Sequence, residues 1–295
     1  MARPLTIVAD DYGIGRDTSR GILDLAHEGL ITGSVMIVNC TDAEQAAREW
    51  LDETPRTDLG WHPNLTLDRP VLSARLIPSL VRSDGTFWPL GKVPARACLG
   101  KILRADVVTE WQAQYRRFVE LIGRPPALVN SHQHVSLFPP CDSALLQVLR
   151  EQNVRPYLRR VVERTPVIAK IPGARFKRTA LSLLGRRAAR RAAAYGLPGC
   201  DWLAGVTDHA CVADERFWDR WLGYIGPTGS VEICCHPGNR DETLIGRDCD
   251  AGDGLLRRPR ETALLRSPAF TDSYGQAGLM PVRPSALHGS KMGGP

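Results

Sequence analysis

The sequence predicts an α/β protein folded as a distorted (β/α) TIM-like barrel in a single domain, and three observations carry that expectation. Short β-branched apolar runs recur along the 295 residues, and amphipathic helical spacings fall between them. Several of these runs end in carboxylates or imidazoles. Alternating strand and helix is the signature of a parallel sheet wrapped by helices. Active sites gather at the carboxyl ends of the strands in such sheets. Burying polar groups unpaired is costly, so strand ends of this chemistry mark a site rather than a core.

Taken in order, strands are expected at 5–10, 33–39, 58–65, 127–133, 154–160, 202–207, 230–236 and 279–284. Between the first two, Ile22, Leu25, Ala26 and Leu30 lie at helical spacing over Thr18 to Leu30. Asp17 or Thr18 is the expected cap of that helix, and Gly29 its end. Asp42 to Leu51 and Val107 to Ile122 repeat the pattern, the second stopped by Gly123-Arg124-Pro125-Pro126. Ser143 to Gln152 supplies a helix before the fifth strand. Residues 69–104 break the alternation with Pro70, Pro78, Pro89 and Pro94. A loop insertion after the third strand belongs at the rim of the site. Phe87 and Trp88 within it can stack on a sugar face or turn into the barrel. The barrel domain is expected over 1–284, with 285–295 as a mobile tail.

Composition narrows the class. A hydrophobic fraction of 43% and a charged fraction of 24% are ordinary for a globular chain. No apolar run is long enough to span a bilayer. Met1-Ala2-Arg3-Pro4 leads straight into a strand-like run without secretory features, which points to the cytoplasm. Eight cysteines contain no CxxC pair and read as free thiols. The net charge of +6 is uneven: residues 164–200 hold nine Lys or Arg and no Asp or Glu. Within this basic helical segment, Phe176 to Leu184 followed by Arg186, Arg187, Arg190 and Arg191 suits an anionic membrane surface or an acidic partner. The plainer alternative is a solvated helix face. Without aromatic interleaving the charges give no sign of nucleic-acid binding. A homodimer is the default assembly.

The chemistry sits in four segments. Asp10-Asp11 closes the first strand before Tyr12-Gly13, where a break in the strand lets both carboxylates reach one centre. His62 ends the third strand within Gly60-Trp61-His62-Pro63-Asn64. His132 and His134 stand at i and i+2, and strand alternation puts them on one face. Imidazoles and a carboxylate are a familiar set of divalent-metal ligands. Glu232-Ile233-Cys234-Cys235-His236 is again a strand running into histidine, and His236 has the chemistry of a proton donor.

Together, Ile7-Val8-Ala9-Asp10-Asp11-Tyr12-Gly13, Gly60-Trp61-His62, Asn130-Ser131-His132-Gln133-His134-Val135 and Cys235-His236-Pro237-Gly238 resemble the YdjC-like carbohydrate deacetylases. That family includes chitooligosaccharide deacetylases and hopanoid-biosynthesis-associated members. The likeness runs from Leu5 to about Pro268 and takes in Arg260-Glu261. It implies a divalent metal held by Asp11, His62 and His132, with zinc or magnesium first and cobalt, nickel or manganese as alternatives. It implies Asp10 as general base and His236 as general acid or substrate-positioning group. An acetylated amino sugar is the implied substrate, with His134, Asn64, Glu232, Arg260 and Trp88 as its candidate contacts. One departure stands out: Gln133 and Ser136 replace two histidines of the family's Ser-His-His-His-Val-His string. Another metal-dependent barrel enzyme, an amidohydrolase or a sugar isomerase, is the alternative, as is a lipid-surface-binding protein with a degenerate site.

Overall fold

The computed structural model describes residues 2–288. Each expected strand is present: β1 (Arg3–Tyr12), β2 (Gly33–Met36), β3 (Asp58–Trp61), β4 (Leu128–Val129), β5 (Tyr157–Leu158), β6 (Trp202–Ala204), β7 (Val231–Cys235) and β8 (Leu279–Pro281). They form one parallel sheet in the order β5-β4-β3-β2-β1-β7-β6, with β8 paired to β1. Leu5 to Tyr12 is buried throughout, as expected of a central parallel strand covered on both faces. Along β1 the carbonyl of Ile7 accepts from Thr32 and that of Leu5 from Val282. Those groups point the same way, so β8 lies below β2 on one edge of β1. The sheet curls until β5 and β6 face each other. Two backbone bonds bridge that seam, Leu158 N to Pro198 O and Leu203 N to Val162 O, both 2.8 Å. The result is an irregular parallel barrel. Gly60 is required where β3 meets β4, because a Cβ there would lie 2.1 Å from the Leu128 carbonyl oxygen.

The helices α1 (Arg16–His27), α2 (Ala43–Glu53), α3 (Val93–Cys98), α4 (Arg104–Ile122), α5 (Cys141–Glu151), α6 (Thr165–Lys170), α7 (Arg175–Ala194), α8 (Phe217–Tyr224), α9 (Arg257–Arg266) and α10 (Pro268–Gln276) follow the strands. Helix α1 starts earlier than expected, and neither Asp17 nor Thr18 is its cap. Gly15 holds that position, and Asp241, from beyond β7, accepts from the Thr18 N–H at 3.0 Å. A Cβ at Gly15 would fall 2.4 Å from the same carboxylate. Gly29 ends the helix as expected, at φ +72° in the left-handed region.

The insertion at 69–104 is held down by two acids of α4. Glu110 accepts from Val71 N and Leu72 N at 2.9 and 3.2 Å, and Asp106 accepts from Ser79 N at 3.0 Å. Phe87 is fully buried in the core and Trp88 lies beneath Arg96, 3.9 Å from its ring centre. Two arginines of the basic segment also turn inward or pair. Arg178 is buried, bonds Glu163 at 2.7 Å and covers the Trp221 ring, while Arg191 pairs with Asp142. At the other end, Pro284–His288 forms a short helical turn, with Ser285 N 2.7 Å from the Asp58 carboxylate. Residues 285–288 of the expected tail thus belong to this turn, and 289–295 lie outside the described residues. Among the described residues no helix is long and apolar enough to cross a membrane.

Candidate functional site

Asp10, Asp11, His132, His134 and His236 meet at the carboxyl end of the sheet, on the wall of a cavity of about 490 Å³. The two aspartates reach it from adjacent positions because β1 breaks there. Its pairing with β2 slips between Ala9 and Tyr12, and Asp11 adopts φ +70°. Aspartate tolerates that left-handed backbone better than most residues. A regular strand would have sent one carboxylate to the opposite face.

Asp11, His62 and His132 offer ligand atoms that all lie within 4.8 Å of one another, and all three residues are buried. Asp11 Oδ1 is 2.9 Å from His132 Nδ1 and 3.3 Å from His62 Nε2. The other ring nitrogen of His62, Nδ1, is 2.7 Å from the Asn130 carbonyl oxygen. A carbonyl only accepts, so in the neutral ring Nδ1 carries the proton and Nε2 turns a lone pair toward the carboxylate. Two acceptors facing each other are the arrangement a cation satisfies, and the donor set suits a divalent metal. Arg258 takes the remaining oxygen, Asp11 Oδ2, at 2.8 Å and reaches Asp248 at the same distance. Burial works against ionisation of Asp11, but the charges of His132 and Arg258 outweigh it and hold the carboxyl well below its usual range. Burial likewise opposes protonation of His132, and Asp11 overrides it to raise that imidazole.

Asp10 sits beside this triad in a different environment. Arg159 grips both its oxygens, at 2.6 and 2.8 Å, and Asn130 Nδ2 approaches Oδ1 at 3.3 Å. Burial raises its carboxyl, yet the Arg159 charge prevails and Asp10 stays ionised far below the ordinary carboxylate range. His236 Nε2 lies 3.9 Å from Asp10 Oδ2, and Arg257 approaches His236 Nδ1 at 3.1 Å. Guanidinium only donates, so His236 Nδ1 accepts and Nε2 carries the proton. Burial, then the charge of Arg257, depresses this imidazole. Asp10, Cys234 and His236 also lie within ligand distance of one another. That set is the poorer metal site: Arg159 already occupies both Asp10 oxygens, and burial pushes the Cys234 thiol far above its usual value.

The expected substrate contacts divide. His134 lines the cavity, though not by strand alternation: β4 ends at Val129, and His132–Leu137 is a tight helical turn in which Gln133 and His134 have φ +52° and +56°. Burial pushes the His134 imidazole down to about 3. The other four lie off the cavity wall. Asn64 is fully buried, accepting from Thr66 N at 2.9 Å and donating to Asp68 at 2.7 Å, so it shapes a turn. Glu232 lies beneath the site, bound by Arg159 Nε at 2.5 Å and by the Tyr157 hydroxyl at 2.6 Å. Arg260 pairs with Asp253 away from the cavity wall, and Trp88 is occupied by Arg96.

Arg159, Arg257, Arg258 and Asp248 escaped the sequence reading. Arg159 directly follows β5, the same strand-end position that flagged the histidines. Amid Arg155 and Arg160 it reads as basic surface. Thr207, just beyond β6, and Gln133 were not among the expected contacts. Both line the cavity, and their Oγ1 and Oε1 atoms are buried without a hydrogen-bond partner among the described residues.

A parallel α/β barrel with a buried Asp-His-His cluster at its strand ends defines the class. The chain belongs to the YdjC-like protein family, whose profile matches residues 4–276. It is 30% identical over 248 residues to a chitooligosaccharide deacetylase of Klebsiella pneumoniae (strain 342), covering 83% of this chain and 86% of that one. A chitooligosaccharide deacetylase of Yersinia pestis (strain Pestoides F) is 27% identical over 281 residues, covering 94% and 96%. Among solved structures, a candidate cellobiose-phosphate cleavage protein of Enterococcus faecalis V583 superposes with a TM-score of 0.74 at 22% identity, over 97% of this chain and 99% of that one. This likeness supports the fold.

Proposed function

We propose that the protein is a carbohydrate N-deacetylase that hydrolyses the acetamide of an acetylated amino sugar, with a divalent cation held by Asp11, His62 and His132. The observation that carries this reading is the convergence of the three ligand atoms within 4.8 Å beside an ionised Asp10. Kinship with relatives named chitooligosaccharide deacetylases, matched over most of their length, supports the substrate class. A cation held by Asp11, His62 and His132 would supply Lewis acidity, making the attacking water more acidic and opposing negative charge on the acetyl oxygen.

The chain's own groups do the rest. Asp10, fixed by Arg159, accepts the proton of the attacking water. Its low basicity makes it a base that is always ionised and always oriented, suited to a water already acidified. His236 presents Nε2–H across the same carboxylate oxygen, where it positions the acetamide and meets the departing nitrogen. Because its pKa is depressed, proton delivery to the amine draws on the proton Asp10 has collected. Gln133, Thr207 and His134 line the same cavity and are available to the sugar.

Incubation with N-acetylglucosamine oligomers, with and without chelator, tests the reading. Acetate release with a mass loss of one acetyl unit is expected, and absence of turnover with every divalent metal supplied would refute it.

A further inference from the structure

Helix α7 carries a face that the fold does not use. Its inward side buries Arg178, Leu181, Gly185 and Ala192. On the opposite side Phe176, Leu183, Arg187 and Arg190, spaced i, i+7, i+11 and i+14, form one ridge. Phe176 is 90% exposed and Leu183 66%. Arg186, Arg187 and Arg190 are exposed and form no ion pair with any described residue, and α7 contains no acid to neutralise them. Lys177, next to Phe176, lines the active-site cavity, so the ridge starts at its mouth. An exposed phenylalanine and leucine in line with unpaired arginines gain little in water. At an anionic bilayer the apolar pair enters the headgroup boundary while the guanidiniums meet phosphates.

We propose that α7 is an interfacial helix that docks the protein on an anionic lipid surface with the cavity mouth beside the headgroups. Charge complementarity selects this occupant. A second copy of the same cationic ridge would repel, and an acidic protein would leave Phe176 and Leu183 without a function.

Sedimentation with phosphatidylcholine vesicles, with and without phosphatidylglycerol, tests the docking without any turnover, so its failure is separate from failure of the deacetylase reading. The protein is expected to pellet with the anionic vesicles alone and to be released by salt. Reversing Arg186, Arg187 and Arg190 to Glu is expected to weaken binding by more than about tenfold, since each basic residue near such a surface strengthens binding roughly fivefold. Phe176→Ser with Leu183→Ser is expected to weaken vesicle binding while leaving heparin binding intact. Thermal midpoints and acetate release from soluble oligomers serve as fold controls for both variants. Retention in the supernatant would overturn the proposal. So would undiminished pelleting of the Phe176→Ser, Leu183→Ser variant, which would mark a general polyanion site.

Discussion

Arg159 clamps both carboxylate oxygens of Asp10, at 2.6 and 2.8 Å, from the end of a strand four places away in the sheet. The same guanidinium holds Glu232 through Nε, so one side chain aligns the proposed base and neutralises two buried acids.

Replacing Arg159 separates those duties. Arg159→Met leaves two buried carboxylates unpaired and is expected to destabilise the fold by about 3–5 kcal/mol, read by denaturant unfolding. Arg159→Lys keeps a charge but loses the planar two-point grip. A better-folded protein with acetate release reduced about a hundredfold is expected. The acid limb of its pH profile should move upward, because burial then raises Asp10 with less opposition. A lysine variant of unchanged rate and profile would remove Arg159 from the mechanism.

The two arginines of α9 should behave oppositely. Arg257 bonds His236 Nδ1, whereas Arg260 pairs with Asp253. Arg257→Ala is expected to lower kcat by roughly ten- to a hundredfold, the usual effect of losing a residue that orients an active-site imidazole. Arg260→Ala should leave kcat and KM within about twofold, as for most surface changes. Equal losses would mean that α9 contributes as a whole helix.

His134 sets a pH dependence of stability. Its imidazole is pushed from 6.5 in the free side chain to about 3 in the fold. A depressed value means the unfolded chain binds the proton first. The stabilisation is therefore complete above about pH 6.5 and declines as pH falls toward 3. Metal-free protein should lose stability through that window, ahead of the loss from Asp10 and Asp11 below pH 3.8. His134→Asn tolerates the positive φ and should flatten the upper part of the curve. An unchanged slope between pH 6.5 and 4 would contradict the assignment.

Much of this architecture was legible in the sequence. The central strands announced themselves as apolar runs, because parallel strands buried on both faces cannot alternate, whereas β5 is only Tyr157–Leu158 between Pro156 and Arg159. Asp10, Asp11, His132 and His236 were found because they interrupt such runs where a core residue belongs. What stayed hidden depends on pairing across the barrel. Nothing near Glu232 in the chain tells that Arg159 and Tyr157 close over it, so it passed for a substrate contact. Alternation failed for His132 and His134 because β4 stops at Val129 and the chain turns left-handed. The cap of α1 was misassigned for the same reason, its carboxylate coming from Asp241, far along the chain.

The shared cation is most directly tested by metal analysis of the purified protein beside its Asp11→Asn variant, with acetate release measured on the same samples. Asparagine tolerates the φ of +70° and loses only the charge. One divalent ion per chain in the parent, little or none in the variant, and turnover that follows occupancy are the expected results. Undiminished acetate release from metal-free protein, or full metal content in Asp11→Asn, would contradict the assignment of Asp11, His62 and His132 as ligands.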